Sequence, residues 1–425
     1  MPLFRTVTLG CKVNQYETEY LRQGLLRAGF REAAHGEAAD LCIVNTCTVT
    51  GESDYKSRKI IRALARDNPR CRIVVMGCYA TRAPEELASL PQVVQVVFDK
   101  RQLPQLVRQL SRAEAPRGIS SFGRLHRAYV KIQDGCNGEC SYCIVPKVRP
   151  VLASRTMDDV LEEVRRLIDH GHREIVLTGI HLGHYGADLP DDGGEPTNLT
   201  ALLRRLTEAE GEFRIRLSSL EAAEVTPALL ELMARFPDRI CPHLHLPLQS
   251  GSNAVLTRMK RRLNAEAFLA HCDEIRRVLT APALTTDVIV GFPGETEADF
   301  EASCRVVREA AFSKVHVFRY SPRDGTLAAG MPDQIPPTVK QHRAEVLAAI
   351  GRDSRGAYCA SLVGQELQVV AESLNEDHPR TVSGTADRYV AVRFPGGREL
   401  MDRIVRVSAM AALGDGLLGI CADSA

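Results

Sequence analysis

Six of the thirteen cysteines fall into two sets of three, and each set is one ligand short of filling a four-coordinate metal site. The first set is local. Cys136, Cys140 and Cys143 stand in the run Asp134-Gly-Cys-Asn-Gly-Glu-Cys-Ser-Tyr-Cys143, a CxxxCxxC spacing. The second is dispersed: Cys11, Cys47 and Cys78 each stand where a β-branched, apolar run ends, in Thr-Val-Thr-Leu-Gly-Cys11, Cys-Ile-Val-Asn-Thr-Cys47 and Ile-Val-Val-Met-Gly-Cys78. A cubane iron-sulfur cluster takes four thiolates, so a site with three leaves one iron open to a small molecule. The competing reading of the local triad, a zinc knuckle, needs a fourth protein ligand that the loop does not offer. Cys42, Cys71, Cys241, Cys272, Cys304, Cys359 and Cys421 are expected to pack as small hydrophobes. His181, His184, His243 and His245 read as alternating strand positions without helical i, i+4 pairing, and no metal is assigned to them.

The elements that must position these cysteines can be placed from pattern. Strands are expected at Arg5 to Leu9, Leu41 to Asn45, Ile73 to Met76 and Val93 to Phe98, with helices from about Glu17 to Ala28 and Asp54 to Asp67. Short apolar strands alternating with helices indicate a parallel α/β sheet covered on both faces. Ligands of such sheets collect beyond the carboxyl ends of the strands, where Cys11, Cys47 and Cys78 all sit. They can therefore converge from far apart in sequence. Gly10 and Gly77, each just before a cysteine, let backbone approach a bulky inorganic group.

A polar stretch from about Leu110 to Arg124 reads as a linker. Six further strands follow at Tyr129 to Gln133, Glu174 to Thr178, Arg214 to Ser218, His243 to Pro247, Thr285 to Val290 and Lys314 to Arg319, separated by helical patterns. Six βα units make an incomplete (β/α)6 barrel, and barrel enzymes carry their chemistry at the carboxyl ends of the strands. The CxxxCxxC loop follows the first of them. Pro332, Pro336 and Pro337 lead into a helix from about Val339 to Tyr358, and strand-like runs at Glu366 to Ala371, Tyr389 to Phe394 and Ile404 to Val407 have the pattern of a small β-barrel. The expected fold class is thus α/β, with domains at 1–110, 125–335 and 361–425.

With 44% hydrophobic and 25% charged residues in 425, the composition is that of an ordinary soluble protein. No apolar stretch approaches the roughly 20 residues of a membrane span, and Met1-Pro-Leu-Phe-Arg5 runs directly into a strand, so a cytoplasmic, membrane-free protein is expected. Cysteines in that setting point to metal or catalysis rather than disulfides. The net charge of +1 makes any RNA site a local patch.

CxxxCxxC after the first strand of an incomplete barrel, with Tyr142 before the third cysteine, resembles the radical S-adenosylmethionine enzymes. Joined to the three-cysteine domain ahead of it and the small barrel behind, the whole chain resembles the methylthiotransferases among them. Supporting runs are Leu9-Gly-Cys-Lys-Val-Asn-Gln-Tyr-Glu-Thr-Glu19, Val44-Asn-Thr-Cys-Thr-Val-Thr50, Met76-Gly-Cys-Tyr-Ala80, Leu177-Thr-Gly-Ile-His-Leu-Gly-His-Tyr-Gly186, Leu246-Pro-Leu-Gln-Ser-Gly-Ser252 and Asp287-Val-Ile-Val-Gly-Phe-Pro-Gly-Glu-Thr296. Lys12 to Glu19 looks most like the branch that acts on threonylcarbamoyladenosine in tRNA. Other branches act on isopentenyladenosine in tRNA or on an aspartate of a ribosomal protein, and a non-catalytic iron-sulfur RNA-binding protein is the alternative from another class.

The resemblance implies two [4Fe-4S] clusters. One, on Cys136, Cys140 and Cys143, would bind S-adenosylmethionine and cleave it with one electron to a 5′-deoxyadenosyl radical; the other, on Cys11, Cys47 and Cys78, would carry the sulfur to be donated. It implies as partners a tRNA anticodon stem-loop and a reductant such as flavodoxin or ferredoxin, and a C-terminal barrel of TRAM-like type. Candidate contacts to S-adenosylmethionine are Tyr142 in the loop and the strand-end residues Thr178, Gly179, Ser218, Ser219, Glu221, Gln249 and Gly291, with Glu221 placed on a ribose hydroxyl. For RNA phosphates the basic candidates are Arg258, Lys260, Arg261 and Arg262, then Arg149 and Arg155 beyond the cluster loop, with Arg388, Arg393 and Arg403 as surface candidates on the last barrel. That barrel is a poor electrostatic match for RNA, with six Arg, no Lys and nine acidic residues from Ser361 to Ala425. After the third cysteine the family runs through an Arg-Gly-Arg-like stretch, of which this chain keeps Arg149, Ser154 and Arg155.

Overall fold

The computed structural model of the chain describes residues 1–111, 113–123, 126–190, 197–375, 378 and 380–422. Residues 124 and 125, at the boundary expected between linker and barrel, and 423–425 at the end of the last expected domain lie outside the described residues.

The N-terminal unit is a parallel sheet in the order β2-β1-β3-β4-β5, from β1 (Leu3–Thr8), β2 (Arg31–Glu32), β3 (Leu41–Thr46), β4 (Arg72–Gly77) and β5 (Val93–Val96). Helices α1 (Lys12–Arg27), α2 (Gly51–Asp67), α3 (Cys78–Arg82), α4 (Pro84–Ala88) and α5 (Leu103–Ser111) accompany it. All six residues of β3 are buried, as an unbroken apolar strand covered on both faces requires. Its side chains alternate between two cores: Cys42 and Val44 with Ile61 of α2 on one face, Leu41 and Ile43 with Leu21 and Leu25 of α1 on the other. Helix α1 begins at Lys12, well before the expected Glu17. Its first turns bury Asn14, Glu17 and Thr18 among Val13 and Tyr16, so polar residues break the apolar periodicity there.

The stretch expected to be a linker is packed instead. Ile119 and Phe122 are buried in the central core, Ile119 N donates to Glu163 Oε1 at 2.8 Å, and Gln23 Nε2 donates to Ser121 O at 2.6 Å. Its polar composition hid two apolar anchors.

The central unit contains β6 (Arg127–Asp134), α6 (Val145–Val148), β7 (Ala153–Ser154), α7 (Met157–Asp169), β8 (Glu174–Gly179), α8 (Leu199–Thr207), β9 (Arg214–Leu217), α9 (Pro227–Arg235) and β10 (His243–His245). It continues through α10 (Asn253–Arg258), α11 (Ala265–Val278), β11 (Ala283–Val290), α12 (Glu297–Glu309) and β12 (Lys314–Arg319). The ladders β6-β8-β9 and β10-β11-β12 are parallel, and single bridges from Ile215 to Ile240 and from Ser219 to His245 join them into one arc. Among the described residues β12 and β6 do not pair, so the barrel stays open along one side.

Helix α13 (Pro337–Ser361) leads into a closed barrel in the order β13-β14-β15-β17-β16, from β13 (Glu366–Leu374), β14 (Thr381–Ala386), β15 (Ala391–Pro395), β16 (Ile404–Leu413) and β17 (Gly416–Cys421). This barrel seats on the amino ends of the central strands. Arg214 donates to Gln368 O (2.6 Å) and Thr385 O (2.8 Å), and Arg216 to Asp387 O (2.7 Å), while buried Glu174 holds both guanidinium groups. Arg216 also donates to Ala386 O (3.1 Å), and buried cations held by one carboxylate and four carbonyls satisfy the donors that burial would otherwise leave costly. Among the described residues no helix is long and apolar enough to cross a membrane.

Candidate functional site

The local triad sits in the loop between β6 and α6, and backbone contacts fix that loop. Cys136 N donates to Arg149 O at 3.0 Å, Ser141 N to Met259 O at 3.0 Å and Cys143 N to Cys140 O at 3.0 Å. Gly135 has φ +81°, and a Cβ there would strike Val151 O, so the turn into Cys136 requires glycine. The three cysteines line a cavity of about 430 Å³ with Tyr142, Ser219, Glu221 and Gln249. That volume is in the range of small-molecule sites.

Around Cys136 the electrostatics favour thiolate. Burial alone would raise its thiol, yet contacts from His181 Nδ1 (3.6 Å) and Gly138 N–H (3.3 Å) outweigh it and the pKa is lowered. His181 is itself raised to about 10: burial works against its charge, but Cys136 on one nitrogen and Glu224 Oε1 at 2.6 Å on the other favour imidazolium. Cys143, by contrast, is pushed up to about 12 by burial. A free thiol there would stay protonated, and a metal would be needed to hold it as thiolate.

The dispersed triad is assembled by the sheet. Residues Thr8, Asn45 and Met76 stand level on the adjacent strands β1, β3 and β4, so Cys11, Cys47 and Cys78 leave the same edge within a few residues of that line. Gly10 (φ +101°) leaves its Cα against Cys47, where a Cβ would meet Cys47 Cβ at 3.0 Å, and Gly77 (φ +97°) turns β4 into α3 against Thr46 and Asn45. Asn14 Nδ2 ties the edge together by donating to Leu9 O (2.8 Å) and Thr46 O (3.1 Å). Burial raises both Cys11 and Cys47, and the charge of Cys78 adds to each.

Among the described residues, the metal-sized group whose ligand atoms all lie within 4.8 Å is His181, His184 and Glu224, and neither cysteine triad is drawn in so tightly. A tetrahedral zinc site would need that closeness. His181 and His184 flank a short turn after β8 rather than alternating on a strand, so their rings stack at 3.6 Å, contrary to the strand placement expected for them. Both nitrogens of His181 are already engaged.

One residue touches both triads. Besides accepting from Cys136 N through its carbonyl, Arg149 donates from Nε to Cys78 Sγ at 3.3 Å, from Nη1 to Glu17 (2.8 Å) and Asp134 (2.8 Å), and from Nη2 to Asn14 Oδ1 at 3.0 Å. Its side chain is 1% exposed, so it is a buried strut between the two cradles, and the expectation of an RNA phosphate contact does not fit its position. Sequence reading missed this network. The pairing of Glu17 with Arg149 spans 132 residues and has no local signature.

Other expected residues divide by position. Arg155 is turned inward to Glu163, Tyr16 and Lys131 O rather than to a phosphate-facing surface. Arg261, 11% exposed, grips Glu221 through both nitrogens (2.8 and 2.5 Å) instead of facing solvent, which also occupies much of the carboxylate placed on a ribose. Arg258 donates to Gly294 O, whereas Lys260 and Arg262 are exposed at the cavity mouth. Thr178 is buried in the barrel wall, Gly179 abuts Gln133, and the N–H of Gly291 is taken by Glu295, so these three do not line the cysteine cavity. Ser218 lines a second chamber below. Gln249 holds φ +69°, a strained value for a residue with a side chain, in the cavity wall. Arg388 is buried against Asp387, while Arg393 and Arg403 are exposed.

Comparison with known proteins follows the same division. Residues 4–99 match the family described as "Uncharacterized protein family UPF0004" and residues 130–307 match "Radical SAM superfamily". The chain is 39% identical to the threonylcarbamoyladenosine tRNA methylthiotransferase MtaB of Bacillus subtilis over 95% of this chain and 93% of that protein. It belongs to the radical S-adenosylmethionine methylthiotransferase family. The MtaB of Thermotoga maritima is 35% identical, with 100% of this methylthiotransferase and 98% of that protein covered. The tRNA-2-methylthio-N(6)-dimethylallyladenosine synthase of Moorella thermoacetica is also 35% identical, with 95% of each covered. In fold, the radical S-adenosylmethionine methyltransferase TsrM from Kitasatospora setae is similar at TM-score 0.57 and 14% identity over 77% of each chain. Membership implies binding of S-adenosylmethionine and a [4Fe-4S] cluster, which the three thiols of the CxxxCxxC loop and their cavity fit.

Proposed function

We propose that this methylthiotransferase adds a methylthio group to C2 of N6-threonylcarbamoyladenosine at position 37 of tRNA, beside the anticodon, using S-adenosylmethionine twice and two [4Fe-4S] clusters. The observation that carries the reading is Arg149, whose carbonyl serves the loop of one triad while its guanidinium serves a cysteine of the other. Two cradles that share one buried residue act on one substrate. Cys136, Cys140 and Cys143 hold the first cluster, and Cys11, Cys47 and Cys78 the second. When bound, the clusters supply reductive cleavage of S-adenosylmethionine and the sulfur that is transferred.

The chain's own residues position the reactants. Ser219 and Gln249 present polar groups to S-adenosylmethionine in the cavity, Tyr142 walls it, and the Arg261–Glu221 pair holds the cavity's floor in place. Exposed Lys260 and Arg262 at its mouth take phosphates of the anticodon stem-loop, supplying affinity rather than sequence reading. The run Lys12 to Glu19, which looks most like the threonylcarbamoyl branch, favours it over the dimethylallyl one. Mass spectrometry of tRNA nucleosides from a deletion strain tests this: loss of methylthio-threonylcarbamoyladenosine is expected, and its undiminished presence refutes the assignment.

A further inference from the structure

Below the cysteine cavity, and sharing Ser219 with it, the inside of the central barrel forms a second chamber of about 310 Å³. Ser219 thus stands in the wall of both spaces. The floor is Tyr389 of the C-terminal barrel, and the open side, between β12 and β6, is flanked by Lys12 from the start of α1.

The walls carry more positive charge than their own acids neutralise. Arg216 is spent on Glu174 and Arg127 lies 3.4 Å from Glu372, which leaves the carboxylate of Asp287, 3.3 Å from His245 Nε2, against two lysines. Lys12 and Lys314 are left over: neither makes a hydrogen bond or ion pair among the described residues, and both line the chamber. Their field is felt inside. Burial first, then Lys314 and later Lys12, holds His316 below the ordinary imidazole value, and Lys12 contributes to the same depression at buried His243. Two polar atoms of the lining, Ser218 Oγ and His243 Nδ1, are buried without any hydrogen-bond partner. Buried polar atoms are nearly always satisfied, and an orphan in a cavity wall marks a place where a ligand's polar group belongs.

The substituent on the adenine decides what can meet these groups. A dimethylallyl chain is apolar and offers no partner to the half-buried Lys12, the exposed Lys314 or the two orphan atoms, a mismatch that sites built for polar groups reject. A threonylcarbamoyl group brings a carboxylate, a hydroxyl and ureido N–H and C=O groups. Phe318, 48% exposed on the same strand face as Lys314 and His316, adds a flat apolar surface of the sort on which unstacked bases rest.

We propose that this chamber is the specificity site for the acidic substituent of the modified adenosine, with Lys12 and Lys314 pairing its carboxylate and Ser218 and His243 meeting its polar atoms. The inference rests on the proposed reading that the substrate is an N6-modified adenosine in tRNA. It assigns the choice between branches to four residues of the barrel and α1 rather than to either cluster.

The test uses the full reconstituted chain and three anticodon stem-loops that differ at position 37: threonylcarbamoyladenosine, its neutral methyl ester, and dimethylallyladenosine. Binding is read by fluorescence anisotropy and product by mass spectrometry. The acid should bind roughly tenfold tighter than the ester, as two partly exposed ion pairs allow. Lys12→Met combined with Lys314→Met should erase that difference while ester binding and iron content stay as in wild type. Because Lys12 adjoins Cys11, Lys314→Met alone is the second arm, and it should lower the ratio to about threefold. Equal binding of acid and ester by wild type, or a ratio unchanged in both variants, overturns the proposal although methylthiolation of threonylcarbamoyladenosine still stands. Product on the dimethylallyl loop and none on the acid overturns the functional reading and the chamber assignment together.

Discussion

Replacing Arg149 by Met removes one guanidinium from a sealed space and leaves two carboxylates behind. In wild type, burial pushes Glu17 up, but Arg149 and then Lys131 bring it below the ordinary carboxylate range, and Asp134 is held well below by Lys131 and Arg149 against the same burial. With Arg149 gone, Lys131 Nζ, 3.0 Å from Glu17 and 2.8 Å from Asp134, must serve both. Breaking a buried pair from one side typically costs about 3–5 kcal/mol. Glu17, 1% exposed, then folds with a raised rather than a lowered pKa. The sign of its linkage reverses. A depressed carboxylate contributes stability above its unfolded value that is lost as pH falls, whereas a raised one contributes stability that is lost as pH rises through the folded value. Urea unfolding of the iron-free chain reads the loss, and Glu17→Gln in the Arg149→Met background should recover at least half of it by removing the stranded charge. A loss under about 1 kcal/mol, or a double variant no more stable than the single one, refutes the account of Arg149 as a buried strut. Arg149→Lys keeps the charge and should lose less than Arg149→Met, yet fall short of wild type, because an ammonium cannot reach Cys78, Glu17 and Asn14 together as the planar fork does.

Three further outcomes follow from the same geometry. Cys140→Ala should abolish reductive cleavage of S-adenosylmethionine, while Cys47→Ala should leave cleavage and stop sulfur insertion; loss of cleavage in the second variant would mean the cradles are not separable. His181→Ala removes a donor to Cys136, and a hydrogen bond of about 1 kcal/mol corresponds to a potential roughly 40 mV lower for the first cluster in an EPR redox titration, with an unshifted potential as the contrary result. Glu295, buried and raised by that burial to about 7 from an ordinary 4.5, contributes stability that is whole below pH 4.5 and lost as pH rises through about 7. The difference is about 3 kcal/mol, so the urea midpoint of wild type should fall between pH 5 and 8 and that of Glu295→Gln should stay level. A parallel decline in both would show that another group titrates.

Sequence alone reached the strands that deliver the cysteines, because β3 and β4 are short β-branched runs and each ends at a cysteine. The CxxxCxxC loop was equally plain, being local. The early start of α1 was not, since its buried face there mixes Asn14, Glu17 and Thr18 with Val13 and Tyr16. Strands β14 and β17 escaped notice because Gly384 and Gly419 interrupt their alternation. Basic residues were the least legible. Arg149 and Arg261 look like Lys260 and Arg262 in a sequence, and what separates them is a distant carboxylate, Glu17 for one and Glu221 for the other. Pairing across 132 residues is decided by the fold, and no pattern of neighbours encodes it.

Iron and sulfide analysis of the anaerobically reconstituted chain, with Mössbauer spectra, tests the central claim of two separate three-cysteine cradles most directly. About eight irons per wild-type chain are predicted, and about four both in the triple variant of Cys136, Cys140 and Cys143 and in that of Cys11, Cys47 and Cys78. About four irons in wild type, unchanged when Cys11, Cys47 and Cys78 are all replaced, would contradict it.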